Sequence, residues 1–385
     1  MKKIVIIGPA WPLRGGLATF DQRLAQEFQN QGFDCSIVSF SLQYPSFLFP
    51  GKTQYTNEPA PENLKIFSLI NSVNPQNWVE VGNKLCKWNA DVIVVRYWIP
   101  FMGPALGTIL RRVKKNNHTK IICIADNVIP HEHRPGDRTF TRYFLKTCDA
   151  FITMSEKVLK DLYVFIADDS SKKSEKPTKL VQHPLYDNFG ERLPKSDARN
   201  HLGLNEDDKI ILFFGFIRRY KGLDLLLQAM NEEAIKRQKI KLLIAGEFYE
   251  DEKLYLQLVK QYQLENTVIL RDNFIPDNEV KYYLCAADVV VQPYRNATQS
   301  GVTPLAYHFE VPLIVTNVGG LPALVPHEKA GLVCNPVPQD IADAILRFYE
   351  LGADYFLPHI RSEKQKYSWN NLVQAIIELQ SELKL

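Results

Sequence analysis

The sequence predicts two α/β domains in tandem, each a parallel sheet covered by helices on both faces. Three observations carry that prediction. At 385 residues the chain is long for a single hydrophobic core. Short apolar runs alternate with stretches of helical periodicity along nearly its whole length. The alternation then restarts at Lys209–Phe214, an intensely apolar run, after a connector punctuated by His183-Pro184 and Pro194.

In the first half, Lys3–Ile7 reads as a strand, followed by a loop from Gly8 to Gly16 and a helix. Leu17, Phe20, Leu24 and Phe28 stripe one face of that helix, which stops near Gly32. Further strands are expected at Ser36–Phe40, Asp91–Arg96, Lys120–Ala125 and Asp149–Thr153, with helices over Val79–Trp88 and Gly107–Lys115. Ser155 is placed to cap a helix through Leu162. Residues 167–179, with four lysines, three serines and two aspartates, lie between the apolar Val164–Ile166 and Leu180-Val181 and read as an exposed, mobile loop between strands.

In the second half, strands are expected at Ile210–Phe214, Lys241–Ile244, Thr267–Leu270, Asp288–Val291 and Leu313–Val315. Helices fall between them at Leu223–Met230, Asp251–Gln261, Asn278–Cys285 and Thr303–Phe309. Open parallel sheets bind ligands beyond the carboxyl ends of their strands, and two of them could close a cleft from both sides. Trp369–Leu383 reads as an amphipathic surface helix packed on one of the domains. The domain boundary is expected near residues 188–205, giving domains of 1–190 and 191–365 and a terminal helical segment, 366–385.

Composition excludes several classes. Apolar residues make up 45% and charged residues 23%, which is ordinary for a globular protein. The apolar run after Lys2 and Lys3 is too short for a signal peptide, and no run would span a bilayer, so a cytosolic protein is expected. The six cysteines are scattered without a C-x-x-C pair and read as small buried hydrophobes. Residues 1–190 carry 24 Lys and Arg against 17 Asp and Glu, whereas the remainder carries 22 against 26. That basic half suits an anionic acceptor or the inner face of a membrane, touched peripherally; an uneven solvated surface explains it as well. Nucleic acid fits poorly, since no basic-aromatic binding module is present.

The chemistry concentrates in Gly215-Phe216-Ile217-Arg218-Arg219-Tyr220-Lys221-Gly222, between a buried strand and the helix at Leu223. A glycine turn there presents a guanidinium fork and, three residues on, an ammonium, which together can grip a diphosphate and stabilise it as a leaving group. Gln299-Ser300-Gly301 precedes another helix, where free amides can meet phosphate oxygens or Ser300 can serve as an ordinary cap. Val318-Gly319-Gly320-Leu321-Pro322 is a third turn on the same edge. Gly15-Gly16 occupies the corresponding edge of the first domain without the G-x-G-x-x-G spacing of dinucleotide binding, and no Walker A sequence occurs. A polar cluster follows Ala125: Asp126, Asn127, His131, Glu132, His133 and Arg134, from which Asp126 and His131 are the catalytic candidates. No D-x-D pattern is present to hold a divalent ion against a diphosphate.

These residues together resemble glycosyltransferase family 4. The matching pieces, in family order, are Gly15-Gly16, Gly215–Gly222, Ala245-Gly246-Glu247, Asn273-Phe274-Ile275-Pro276, Ala286-Ala287-Asp288, Val291-Gln292-Pro293-Tyr294 and the stretch from Pro312 through Gly320. The resemblance implies the GT-B fold, two Rossmann-like α/β/α domains facing across a cleft. It also implies a retaining enzyme that uses a nucleoside diphosphate sugar as donor, with no permanently bound cofactor and no essential metal.

By the same resemblance, Arg218 and Lys221 are similar to paired cations at the donor diphosphate, and backbone groups near Phe274 and Ile275 sit by the base. Gly15, Gly16, Gly215, Glu247, Gln299, Ser300 and Gly301 complete the implied donor site. The N-terminal domain would select a glycan or lipid-linked acceptor, and the terminal helix would cross back onto it. Two departures stand out. The family's two glutamates fall at Ala297 and Leu305, and Asp126-Asn127 stands where a histidine commonly follows the strand. Transfer of a hexosyl unit is the expected function. The alternatives are a sugar-nucleotide epimerase or phosphorylase, a catalytically weak GT-B protein serving as carbohydrate binder or partner subunit, and a purely structural α/β protein.

Overall fold

The computed structural model describes residues 2–45, 49, 53–129, 134–166, 176–297 and 300–383. They form two compact units, Met1–His183 with Ser368–Leu385, and Pro184–Tyr367.

The first unit holds seven strands: β1 (Lys3–Ile7), β2 (Asp34–Leu42), β3 (Lys65–Asn71), β4 (Val92–Tyr97), β5 (Lys120–Ala125), β6 (Ala150–Thr153) and β7 (Thr178–Leu180). They run in the order β3-β2-β1-β4-β5-β6-β7, every pairing parallel. Helices cover both faces, so the central strands read as unbroken apolar runs: Ile4–Ile7, Val92–Val95 and Ile121–Ala125 are all essentially inaccessible to water.

The last helix, Trp369–Glu382, belongs to this unit. Leu372, Val373, Ile376 and Leu379 are fully buried, and Trp369 packs on Phe20 at 4.8 Å between ring centroids. Burying such side chains contributes roughly 1.5–3 kcal/mol each. The exposed pairs from Lys179 to Glu378 and Glu382 add little beside that. Apolar burial therefore holds the helix in place.

The second unit holds β8 (Ile210–Phe214), β9 (Lys241–Ala245), β10 (Val268–Arg271), β11 (Val289–Gln292), β12 (Leu313–Thr316) and β13 (Gly331–Cys334). Their order is β10-β9-β8-β11-β12-β13, again all parallel. In each sheet the order reverses once, at β1/β4 and at β8/β11, which is where such sheets leave a crevice at their carboxyl ends.

Two expectations change. Val164–Ile166 ends a helix, Glu156–Ile166, and is not a strand, because Val158, Leu162 and Phe165 recur at helical spacing and are buried together. Ser155 does start that helix, its Oγ accepting from the Val158 N–H at 3.3 Å. The edge strands β3 and β13 were not foreseen, and β7 begins two residues before the strand expected at Leu180-Val181. Residues 167–175 of the lysine-rich loop lie outside the described residues.

Candidate active site

At the crevice of the second unit, β8 ends in Gly215, whose φ of +92° takes the chain out of the strand. The turn is tied to its neighbour on β9. Gly215 N–H donates to Ala245 O at 2.9 Å, Ile217 N–H to Glu247 O at 2.9 Å and Tyr249 N–H to Ile217 O at 3.0 Å. Arg218 then begins a single tight turn through Lys221, closed by Lys221 N–H to Arg218 O at 2.9 Å. Gly222, with φ +67°, enters the helix Leu223–Met230. A Cβ on Gly222 would stand 2.0 Å from the Pro293 carbonyl oxygen, so only glycine lets this loop press against the end of β11.

That packing decides which cations are free to act. Arg295 is committed to structure, donating to both oxygens of Asp224 at 2.6 and 2.7 Å. Arg218 and Lys221 form no ion pair among the described residues. Arg218 is exposed and lies over the Tyr249 ring at 5.0 Å. Lys221 is only 8% exposed, its Nζ 5.8 Å from the Tyr294 ring centroid. Burial, aided by the Arg218 charge, pulls the Lys221 ammonium down from 10.5 to about 7. A buried cation without a carboxylate is a costly arrangement, and an anionic ligand relieves it.

The remaining pieces lie around this pair. Ser300 is buried, and its Oγ accepts from the Val302 N–H at 3.2 Å, so it caps the helix Val302–His308 that Gly301 opens. Val302 Cγ2 comes within 3.7 Å of a Cβ built on Gly215. Glu247 is buried at the end of β9, and Ile275 beyond β10. Phe216 lies 4.2 Å from Tyr249 and 6.2 Å from Phe274 between ring centroids, a half-buried aromatic wall across the carboxyl ends of β8, β9 and β10. Sequence reading picked out Phe274 but missed Phe216 and Tyr249; three aromatics, each just past a strand end, were the available signal. Ala297 and Leu305, at the two glutamate positions, are both buried. Gln299 lies outside the described residues.

The crevice of the first unit is built differently. Gly15, at φ +100°, precedes the helix Gly16–Asn30, which carries Asp21 inward. Arg96, in β4, donates through Nε and Nη2 to both oxygens of Asp126, the latter at 2.7 Å, and through Nη1 to Asp21 Oδ1 at 3.3 Å. Its guanidinium lies 3.7 Å over the Phe20 ring. Asp21 is fully buried, its Oδ2 has no hydrogen-bond partner, and burial pushes its carboxyl up to about 8 against the pull of Arg96. Sequence reading missed Asp21 and Arg96, although a lone arginine inside an apolar strand is itself a sign of a buried pair. His131 lies outside the described residues. Among those residues no three His, Cys, Asp or Glu side chains gather as metal ligands.

Residues 194–366, nearly the whole second unit, match the family model of the glycosyl transferases group 1. Among curated relatives, this chain is 31% identical over 196 residues to a D-inositol 3-phosphate glycosyltransferase of Corynebacterium urealyticum, covering 48% of this chain and 45% of that one. The chain spans about half the length of the first curated relatives it matches. In fold it resembles sucrose-phosphate synthase from Thermosynechococcus elongatus, with a TM-score of 0.76 at 18% identity over 100% of this chain and 99% of that one. It also resembles HepE of Anabaena, solved with UDP-glucose, with a TM-score of 0.73 at 16% identity over 99% and 100%. The fold is accordingly GT-B, two Rossmann-like α/β/α units.

Proposed function

We propose that this chain is a member of the glycosyl transferases group 1 and a retaining glycosyltransferase that moves a hexosyl unit from a nucleoside diphosphate sugar to a hydroxyl of a glycan or glycolipid. The observation that carries the reading is Lys221, a buried ammonium with no carboxylate partner among the described residues, three positions from the unpaired Arg218 at the β8/β11 crevice. A diphosphate supplies the missing charge. The two cations then stabilise it as it departs, the amides near Ser300 and Gly301 assisting. The aromatic wall of Phe216, Tyr249 and Phe274 offers the base a stacking surface on the same edge. HepE, solved with UDP-glucose, makes that compound the first donor to assay.

Retention follows from attack on the face the diphosphate leaves. The acceptor O–H proton passes to a departing phosphate oxygen as the new glycosidic bond forms and the old C–O bond breaks. The buried Ala297 and Leu305 leave that step without the family's two carboxylates. In the N-terminal unit Asp126, fixed by Arg96, serves as a positioning residue for the acceptor. The excess of cations in residues 1–190 suits an anionic acceptor carried on a membrane's inner face, and no helix among the described residues is long and apolar enough to cross a membrane.

Arg218→Ala tests the grip. Loss of a preorganised donor to a leaving group lowers turnover by on the order of 10²–10³. Unchanged transfer from UDP-glucose in a folded Arg218→Ala protein would remove Arg218 from the mechanism.

A further inference from the structure

In the N-terminal unit the helices Gly103–Val113 and Asp137–Leu145 pack side by side. Their seam is close: a Cβ on Gly107 would stand 2.7 Å from the Tyr143 ring. Arg111 crosses it, donating to Gly107 O at 2.8 Å and to Tyr143 O at 2.6 Å, with its guanidinium 3.6 Å over the Tyr143 ring. Thr108 Oγ1 lies 3.0 Å from the Tyr143 hydroxyl. Tyr143 is thereby held against the surface, 37% exposed, next to Phe140, which is 40% exposed.

The charge around these rings is almost all of one sign. Residues 103–115 carry Arg111, Arg112, Lys114 and Lys115 and no acid. Residues 134–146 carry Arg134, Arg138, Arg142 and Lys146 against Asp137 alone, and Asp137 Oδ2 is engaged by the Arg134 backbone N–H at 2.7 Å. Lys114 is paired with Asp149, but among the described residues Arg111, Arg112, Arg134 and Arg138 form no ion pair. A solvated helix face ordinarily mixes signs and exposes few aromatics. Here Arg138-Thr139-Phe140-Thr141-Arg142-Tyr143 puts two exposed rings between cations. That is the chemistry of a bilayer interface: rings at headgroup depth, cations on lipid phosphates.

We propose that this helix pair docks on an anionic lipid bilayer, with Phe140 and Tyr143 entering the headgroup layer and the surrounding cations binding lipid phosphates. The inference rests on the reading that the N-terminal unit meets an anionic membrane, and it is independent of which sugar is transferred.

The test is co-sedimentation of the full chain with vesicles of phosphatidylcholine alone and of phosphatidylcholine with phosphatidylglycerol. Binding is expected only with phosphatidylglycerol and falls as salt rises. Arg134→Glu with Arg138→Glu weakens it by more than about tenfold, and Phe140→Ser weakens it on its own. UDP binding, measured on the same proteins, stays unchanged, which separates failure here from failure of the donor site. Equal binding to neutral vesicles, or full binding by the variants, overturns the proposal. So does an RNA complex that displaces the vesicles and is indifferent to Phe140→Ser.

Discussion

Lys221 Nζ stands 3.2 Å from where a Cβ on Gly215 would lie, so the ammonium occupies the space that the missing side chain leaves. Gly215 therefore does two things at once: it turns the chain out of β8 at φ +92° and it houses the cation. Gly215→Ala is expected to weaken UDP binding with the fold retained, because the neighbour that must yield is the flexible end of Lys221. Calorimetric titration of UDP into the variant checks this; wild-type affinity would show that Lys221 reaches its ligand from elsewhere.

Lys221→Met keeps the aliphatic stem and removes the charge, and it should move stability and binding in opposite directions. The folded value of about 7 lies below the ordinary 10.5, so the unfolded chain binds more protons between those limits and stability rises with pH across that window. The cost of burying the cation is complete below pH 7 and gone above 10.5. The variant should melt higher than wild type near pH 6, with the gain vanishing at alkaline pH, and bind UDP roughly ten- to a hundredfold more weakly. A lower melting temperature near pH 6 would contradict the buried, unpaired state.

The same titration couples UDP to protons. In the empty protein Lys221 is largely neutral above pH 7, whereas a bound diphosphate favours the ammonium. Binding should take up a proton between pH 7 and 10.5, and affinity should fall toward tenfold per pH unit in that range. Titrations in two buffers of different ionisation enthalpy measure the uptake directly. Identical heats at about pH 8.5 would rule the coupling out.

Gly222 and Gly32 give a stability contrast at similar backbone geometry. Both have positive φ, +67° and +82°, but a Cβ on Gly222 meets the Pro293 carbonyl whereas one on Gly32 meets nothing within 4 Å. Gly32→Ala should cost about 1 kcal/mol from the backbone alone. Gly222→Ala adds a clash with a rigid carbonyl and should cost more than about 2 kcal/mol. Equal shifts in urea midpoint would mean that the loop and β11 are not pressed together.

These cases show what the sequence makes legible. β5 and β8 and the helix Leu223–Met230 are readable to the residue, because buried parallel strands are continuous apolar runs and the helix is almost wholly apolar after the Gly222 turn. β3 is half-exposed at a sheet edge and β13 opens on glycine, so neither offers such a run. In the site, the strand-turn-helix context of Arg218 and Lys221 is visible in one dimension. That Lys221 is buried while Arg295 is spent on Asp224 depends on contacts between segments 71 residues apart, to which local pattern is blind.

Asp21 offers the opposite pH signature in the N-terminal unit. Its folded value of about 8 lies above the ordinary 3.8, so between those limits the folded chain binds more protons than the unfolded one, and stability falls as pH rises. The contribution is fully present below 3.8 and is lost as pH rises through about 8, where an ionised Asp21 must share Arg96 with Asp126. Asparagine keeps the shape of the neutral acid without the titration. Asp21→Asn should therefore melt higher than wild type at pH 8–9, with the gain shrinking toward pH 5, where wild-type Asp21 is already protonated. Thermal melts of both proteins across that range decide it. A variant that is destabilised most at alkaline pH would mean that Asp21 is an ionised partner of Arg96.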